Sequence, residues 1–272
     1  MKTIHCSGTR VLRGFTALAL FTLAQEAFAS TIVTFNNSGD FNAQFSPDNQ
    51  YTEASSGGLN NSRAIVLATN NPTSFDGPAS ESVDFSVEGA KMTVGTFFNL
   101  SSFPTTTNAT AEIIRLGLTA GGSGNFADLP YATFRRTSPD DSDFQLQLRG
   151  TTAGPIFTLS TDTWYYFEAT FTNAVAPDTV HHDMAIYNAT NSGGIGSLVN
   201  QLSGDVSGGI YESSFSTLVG GFKVEQGLDN GADGVMDNFY VDNTGTSQIP
   251  EPSSIFLLFI ASSCMVIALN RK

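Results

Sequence analysis

Between two apolar ends, the chain alternates short runs of hydrophobic and polar residues with period two, and no ten-residue stretch carries a helical period. Thr31-Ile32-Val33-Thr34-Phe35 opens this body as a strand and runs into the turn-forming Asn36-Asn37-Ser38-Gly39-Asp40. The same reading predicts strands over Ala64–Thr69, Ser82–Val87, Met92–Phe98, Glu112–Leu118, Tyr131–Arg135 and Phe144–Arg149. Four more follow at Trp164–Phe171, Asp183–Asn188, Thr217–Glu225 and Val235–Val241. Gly121-Gly122-Ser123-Gly124, Ser138-Pro139-Asp140-Asp141 and Gly193-Gly194 separate them as turns. About a dozen short strands without helices predict an all-β, antiparallel sandwich of two packed sheets, or a barrel.

The most regular strand is Trp164-Tyr165-Tyr166-Phe167-Glu168-Ala169-Thr170-Phe171. Alternation puts Tyr165, Phe167, Ala169 and Phe171 on one face, the expected core, and Trp164, Tyr166, Glu168 and Thr170 on the other. With Met184-Ala185-Ile186-Tyr187-Asn188 and its Gly-rich turn, this strand resembles the laminin-G/concanavalin-like jelly roll. Met236-Asp237-Asn238-Phe239-Tyr240-Val241 resembles the closing strand of such domains. The resemblance implies a jelly-roll β-sandwich whose closing strand lies near the first, here Ile32 to Phe35.

The ends read differently. Lys2, Arg10 and Arg13 precede the apolar stretch Gly14 to Ala24, and Ala27-Phe28-Ala29 fits the small-x-small cleavage pattern before Ser30. Residues 1–29 are therefore expected to be a secretory signal peptide, too short in its apolar part to span a membrane. At the other end, Pro250-Glu251-Pro252 precedes an uncharged run from Ile255 to Leu269, and Arg271 and Lys272 close the chain. As a helix from Ser253, this segment reaches roughly 25 Å against a hydrocarbon core of about 30 Å. The terminal cations place that end in the cytoplasm. Pro250 and Pro252 hold Glu251 extended. The segment 250–272 resembles the PEP-CTERM sorting domain of Gram-negative bacteria that make exopolysaccharide. That resemblance implies processing at the tripeptide by an exosortase, after a stage in the inner membrane; the residues alone also fit a plain tail anchor. Residues 30–243 are read as the sandwich domain and 244–249 as a polar linker.

Charge sharpens the picture. The chain carries 12 Lys+Arg and 25 Asp+Glu. Setting aside Lys2, Arg10, Arg13, Arg271 and Lys272, with Glu26 and Glu251, leaves 7 basic and 23 acidic residues, a balance of −16. Such a body repels phosphate backbones, so nucleic acid is not an expected partner. Both cysteines, Cys6 and Cys264, lie in the end segments, which excludes a disulfide framework or thiolate metal site in the body.

Four groups carry candidate chemistry. Glu81, Asp84 and Glu88 lie on or beside the predicted strand Ser82–Val87, with Glu81 on the parity opposite the other two, against the paired carboxylates of retaining hydrolysis. His181-His182-Asp183 is read as a surface loop whose rings face opposite ways. Asp229, Asp233, Asp237 and Asn238 form a glycine-spaced oxygen cluster, a calcium loop or an acidic hairpin turn. Trp164 and Tyr166 share a face on which a sugar ring would stack, unless a loop covers the tryptophan. Together these predict an exported carbohydrate- or matrix-binding sandwich with exopolysaccharide as candidate partner and no catalytic constellation. The alternatives are a glycoside hydrolase or lyase on the same scaffold and a purely structural surface protein.

Overall fold

The computed structural model describes residues 30–38, 52–67, 82–103, 112–119, 130–137, 142–148, 153–174, 179–207, 218–224, 233–245 and 247–248. The signal-peptide and sorting-tail expectations fall outside them. Among the described residues, no helix is long and apolar enough to cross a membrane.

Among the described residues, fourteen strands and one 3-10 turn follow in order: β1 (Ser30–Val33), β2 (Thr52–Ala54), the turn Leu59–Asn61, β3 (Ala64–Val66), β4 (Ser82–Val83), β5 (Lys91–Leu100) and β6 (Glu112–Thr119). Then come β7 (Tyr131–Arg136), β8 (Asp143–Leu148), β9 (Ala153–Thr158), β10 (Trp164–Asn173), β11 (Thr179–Ala189), β12 (Ile195–Ser207), β13 (Leu218–Val224) and β14 (Gly234–Asp242). They form two antiparallel sheets. The eight-stranded one runs β12-β11-β10-β5-β14-β3-β2 with β1 also on β14; the six-stranded one runs β4-β13-β6-β7-β8-β9. The closing strand pairs with the first as expected, Ile32 opposite Tyr240.

The core lies between the sheets, and aromatic rings span it. Phe98 of one sheet stacks on Phe134 of the other at 4.9 Å, and Phe134 meets Phe167 edge-on at 5.4 Å. Tyr165, Phe167, Ala169 and Phe171 all enter this core, as alternation predicts. Gly220 marks a close approach: a Cβ there would lie 2.4 Å from Val94 Cγ1 and 2.8 Å from Val241 Cγ2.

Three strands escaped the sequence pattern. β2 is three residues long, β9 carries Gly154 and Pro155, and β12 is rich in Gly, Ser and Asn. All three sit at sheet edges, where one side of the backbone has no partner strand and strict alternation is not required. The expected strand Ser82–Val87 is corrected to two residues. Asp84 Oδ1 accepts hydrogen bonds from Ser86 N–H (3.0 Å) and Ser86 Oγ–H (2.6 Å), which turns the chain at once.

Candidate functional site

The outer face of the eight-stranded sheet holds the site candidates. Parity puts Trp164, Tyr166 and Glu168 there, yet they are only 8%, 0% and 7% exposed. Phe97 stands across from Tyr166, with ring centroids 4.8 Å apart. Leu59 completes this second apolar cluster, and Tyr187, Ala189, Ile195 and Val235 pack around it. The expected stacking pair is thereby corrected: Trp164 and Tyr166 offer no open ring face to a sugar, because distant parts of the chain roof them over.

Asp237 fixes that roof. A register shift between Asp237 and Phe239, with Asn238 at φ 47°, interrupts β14 there. Asp237 Oδ2 accepts from Leu59 N–H (2.8 Å) and Ser62 Oγ–H (2.7 Å), and Oδ1 accepts from Asn238 N–H (2.7 Å). Burial raises its pKa, against the opposing pull of these donors. The turn fits because residue 58 is glycine; a Cβ there would sit 2.5 Å from Asp237 Oδ2.

This arrangement changes the calcium expectation. Asp233 precedes β14 and Asp237 lies within it, with about 13 Å of extended backbone between them. Asn238 contributes its N–H to Asp237, and Asp229 lies outside the described residues. Among the described residues, no group of three or more His, Cys, Asp or Glu is placed to hold a metal.

Asp233 instead lines a cleft of about 360 Å³ with Gly57, Val66, Asn99, Ser101, Asp162, Gly234 and Val235. Backbone bonds tie its walls together. Asp233 O accepts from Ser101 N–H (2.9 Å) and Ser102 N–H (3.2 Å), and Asp162 N–H donates to Leu100 O (2.8 Å). Asp233 N–H donates to Ser102 Oγ (2.8 Å). Two exposed acidic residues and an asparagine thus line the cleft together with Val66 and Val235. Carboxylates accept from hydroxyls, an amide both donates and accepts, and carbon surface suits the C–H side of a sugar ring. Sequence reading singled out Asp233 for another role and missed Asn99, Ser101 and Asp162. The polar turn Ser160-Thr161-Asp162-Thr163 before the Trp-led strand was the available signal.

The histidines lie in β11, not in a loop; as expected, they face opposite ways. His182 is buried, edge-on to Phe171 at 5.0 Å, and burial pushes its pKa down to about 3. His181 faces out. Its Nδ1 is 2.6 Å from Asp205 Oδ1, and its Nε2 lies 3.2 Å from Ser203 Oγ and 3.4 Å from Asp183 Oδ1. The first two contacts have the atom order of a Ser-His-Asp triad. The hydrogen bond to Asp205 raises the ring's pKa, with both neighbouring aspartates adding to it. The group lies exposed on the outer face of the sheet.

Glu168, like Asp237 and Asp242, is a buried acid. It accepts from Tyr166 O–H (2.9 Å), Ser247 Oγ–H (2.5 Å) and Gln248 N–H (3.1 Å). Desolvation raises its pKa despite these three donors.

Fold and site define an antiparallel jelly-roll β-sandwich with an acidic cleft at one end of its larger sheet. No family model and no curated protein matches the chain. Among solved structures, it is similar to peanut lectin with a bound 9-mer peptide, at 10% identity and a TM-score of 0.44 over 78% of this chain and 97% of that one. It is also similar to the metal-free lectin I-B4 of Griffonia simplicifolia, at 8% identity and 0.46 over 79% and 98%. An engineered GH43 glycoside hydrolase follows at 10% and 0.41, over 81% of this chain and 42% of that one. The fold assignment rests on the strand order above.

Proposed function

We propose that this chain is an exported carbohydrate- or matrix-binding sandwich, carried to the cell envelope by its C-terminal sorting signal. The observation that carries the binding reading is the cleft lined by Asn99, Ser101, Asp162 and Asp233 together with Val66 and Val235. Its polar groups are the kind that recognise neighbouring hydroxyls, and an exopolysaccharide is the ligand class that fits an exported protein of this charge. Export rests on Ala27, Ala29 and Ser30. Sorting rests on Pro250, Glu251, Pro252, Arg271 and Lys272, with an exosortase as processing partner and the inner membrane as the intermediate location.

Purified residues 30–249 are expected to retain defined polysaccharides on a glycan array, run with and without calcium. Asp233→Ala and Asn99→Ala are each expected to weaken that binding by about 10- to 100-fold, the equivalent of a charge-assisted hydrogen-bond pair. Unchanged retention by both variants overturns the cleft. Release of reducing ends or unsaturated sugars in the same incubation would favour the competing reading, a carbohydrate-active enzyme.

For sorting, the double substitution Pro250→Ala, Glu251→Ala is expected to leave the tail uncleaved and the protein in the inner membrane. Mass spectrometry that finds the wild-type mature C-terminus on this variant removes the sorting reading.

A further inference from the structure

Residues 244–249 read as a loose polar linker, yet their described part is folded onto the sandwich. After β14 ends, Asp242 Oδ1 accepts from Thr244 N–H (2.8 Å) and Thr244 Oγ1–H (2.5 Å), which turns the chain back. Gly245, at φ +76°, passes so close to Lys91 that a Cβ would lie 2.5 Å from Lys91 Cβ. Only glycine suits both demands. Ser247 and Gln248 then land on the two carboxylate oxygens of Glu168, Ser247 on Oε1 and Gln248 on Oε2. Tyr166 O–H fills the remaining acceptor position on Oε2 from within the sheet.

Glu168 lies on the outward parity of β10, opposite Gly95 on β5 and Ala185 on β11, two side chains too small to shield it. Tyr166 reaches over Gly95 to one side of it, and Ser247 and Gln248 of the returning segment complete its surroundings at 7% exposure. Burying a carboxylate is costly unless its oxygens are satisfied, so the acid and the strap need each other.

We propose that Glu168 is the latch for the chain's own C-terminal segment, holding Ser247 and Gln248 against the sheet and setting how far Pro250-Glu251-Pro252 can reach from the folded body. With the latch closed, the last held residue is Gln248, and Glu251 lies at most about 11 Å of extended chain beyond it. With the latch open, the anchor retreats to Asp242 and the same glutamate reaches about 32 Å. The use of this device rests on the sorting reading: a membrane-embedded processing enzyme meets a short, body-bound tripeptide in one state and a long tether in the other. The contact itself stands apart from that reading.

Amide hydrogen exchange on the full chain in detergent micelles tests the contact. The Gln248 amide is expected to exchange at least about tenfold more slowly than in an unstructured peptide of the same sequence. Glu168→Gln, which replaces one acceptor oxygen by a donor, and Ser247→Ala, which removes one donor, are each expected to speed it about tenfold. Amides of β5 and β10 should stay protected. Equal Gln248 exchange in wild type and unstructured peptide overturns the latch. So does exchange that neither variant alters. If Glu168→Gln strips protection from β10, the sheet itself has been lost and Ser247→Ala decides. A latch that passes this test in a chain processed without regard to Pro250 and Glu251 leaves the contact standing and removes only its link to sorting.

Discussion

Acidification from pH 6.5 toward 3 should destabilise this sandwich, and His182→Gln should remove most of that sensitivity. His182 is fully buried, and burial holds its pKa near 3 against 6.5 for the free side chain. Between these values the unfolded chain binds a proton that the folded chain refuses, so stability falls as pH falls. The full window is worth on the order of 4–5 kcal/mol. For a domain of this size, that corresponds to a melting shift of roughly 8–20 °C, at about 2–4 °C per kcal/mol.

Other groups act in different senses. Glu168 and Asp237 have raised pKa values, so each favours the folded state on acidification until its unfolded value is reached. The raised pKa of His181 stabilises the fold when the ring is protonated, a contribution already complete below 6.5 and lost as pH rises through the folded value. The histidine term is therefore isolated by comparing variants, not by the wild-type profile alone. Calorimetric melting temperatures of wild type and His182→Gln between pH 7 and 4 should converge as the pH falls. Parallel profiles would show that His182 is not the titrating group.

Asp237→Ala should lower stability by about 2–4 kcal/mol, because Leu59 N–H, Ser62 Oγ–H and Asn238 N–H all lose their acceptor and the first of them is buried. The melting temperature should drop by roughly 4–16 °C. A second readout follows from Trp164, the single tryptophan, which is 8% exposed beneath the turn that Asp237 holds. Freed from its anchor, that turn no longer seals the ring, and the emission should shift to the red in the native baseline. Asp237→Asn keeps an acceptor oxygen and should lose less on both counts. A variant that melts at the wild-type temperature with unchanged emission would show that the clamp contributes nothing.

Sequence by itself determined the fold class and the inward face of its central strands. Period-two alternation is a local property, set by the pleat, and Tyr165, Phe167, Ala169 and Phe171 obeyed it. It also determined the closing pair of β1 and β14, whose residues carry the resemblance to jelly-roll domains. What only the tertiary structure decided is the fate of the opposite face. Trp164, Tyr166 and Glu168 share the side away from the core, and alternation says which residues share a side but not what covers it. Their cover comes from Leu59, from the β11–β12 hairpin and from Ser247 and Gln248, all far away along the chain. The cleft was hidden for the same reason: Asn99, Asp162 and Asp233 are dispersed in sequence and converge only when β5, β10 and β14 pair side by side. His182 looked like a loop residue because Pro177-Asp178 precedes it, and only its pairing between β10 and β12 placed it inside the sheet, where burial removes its charge.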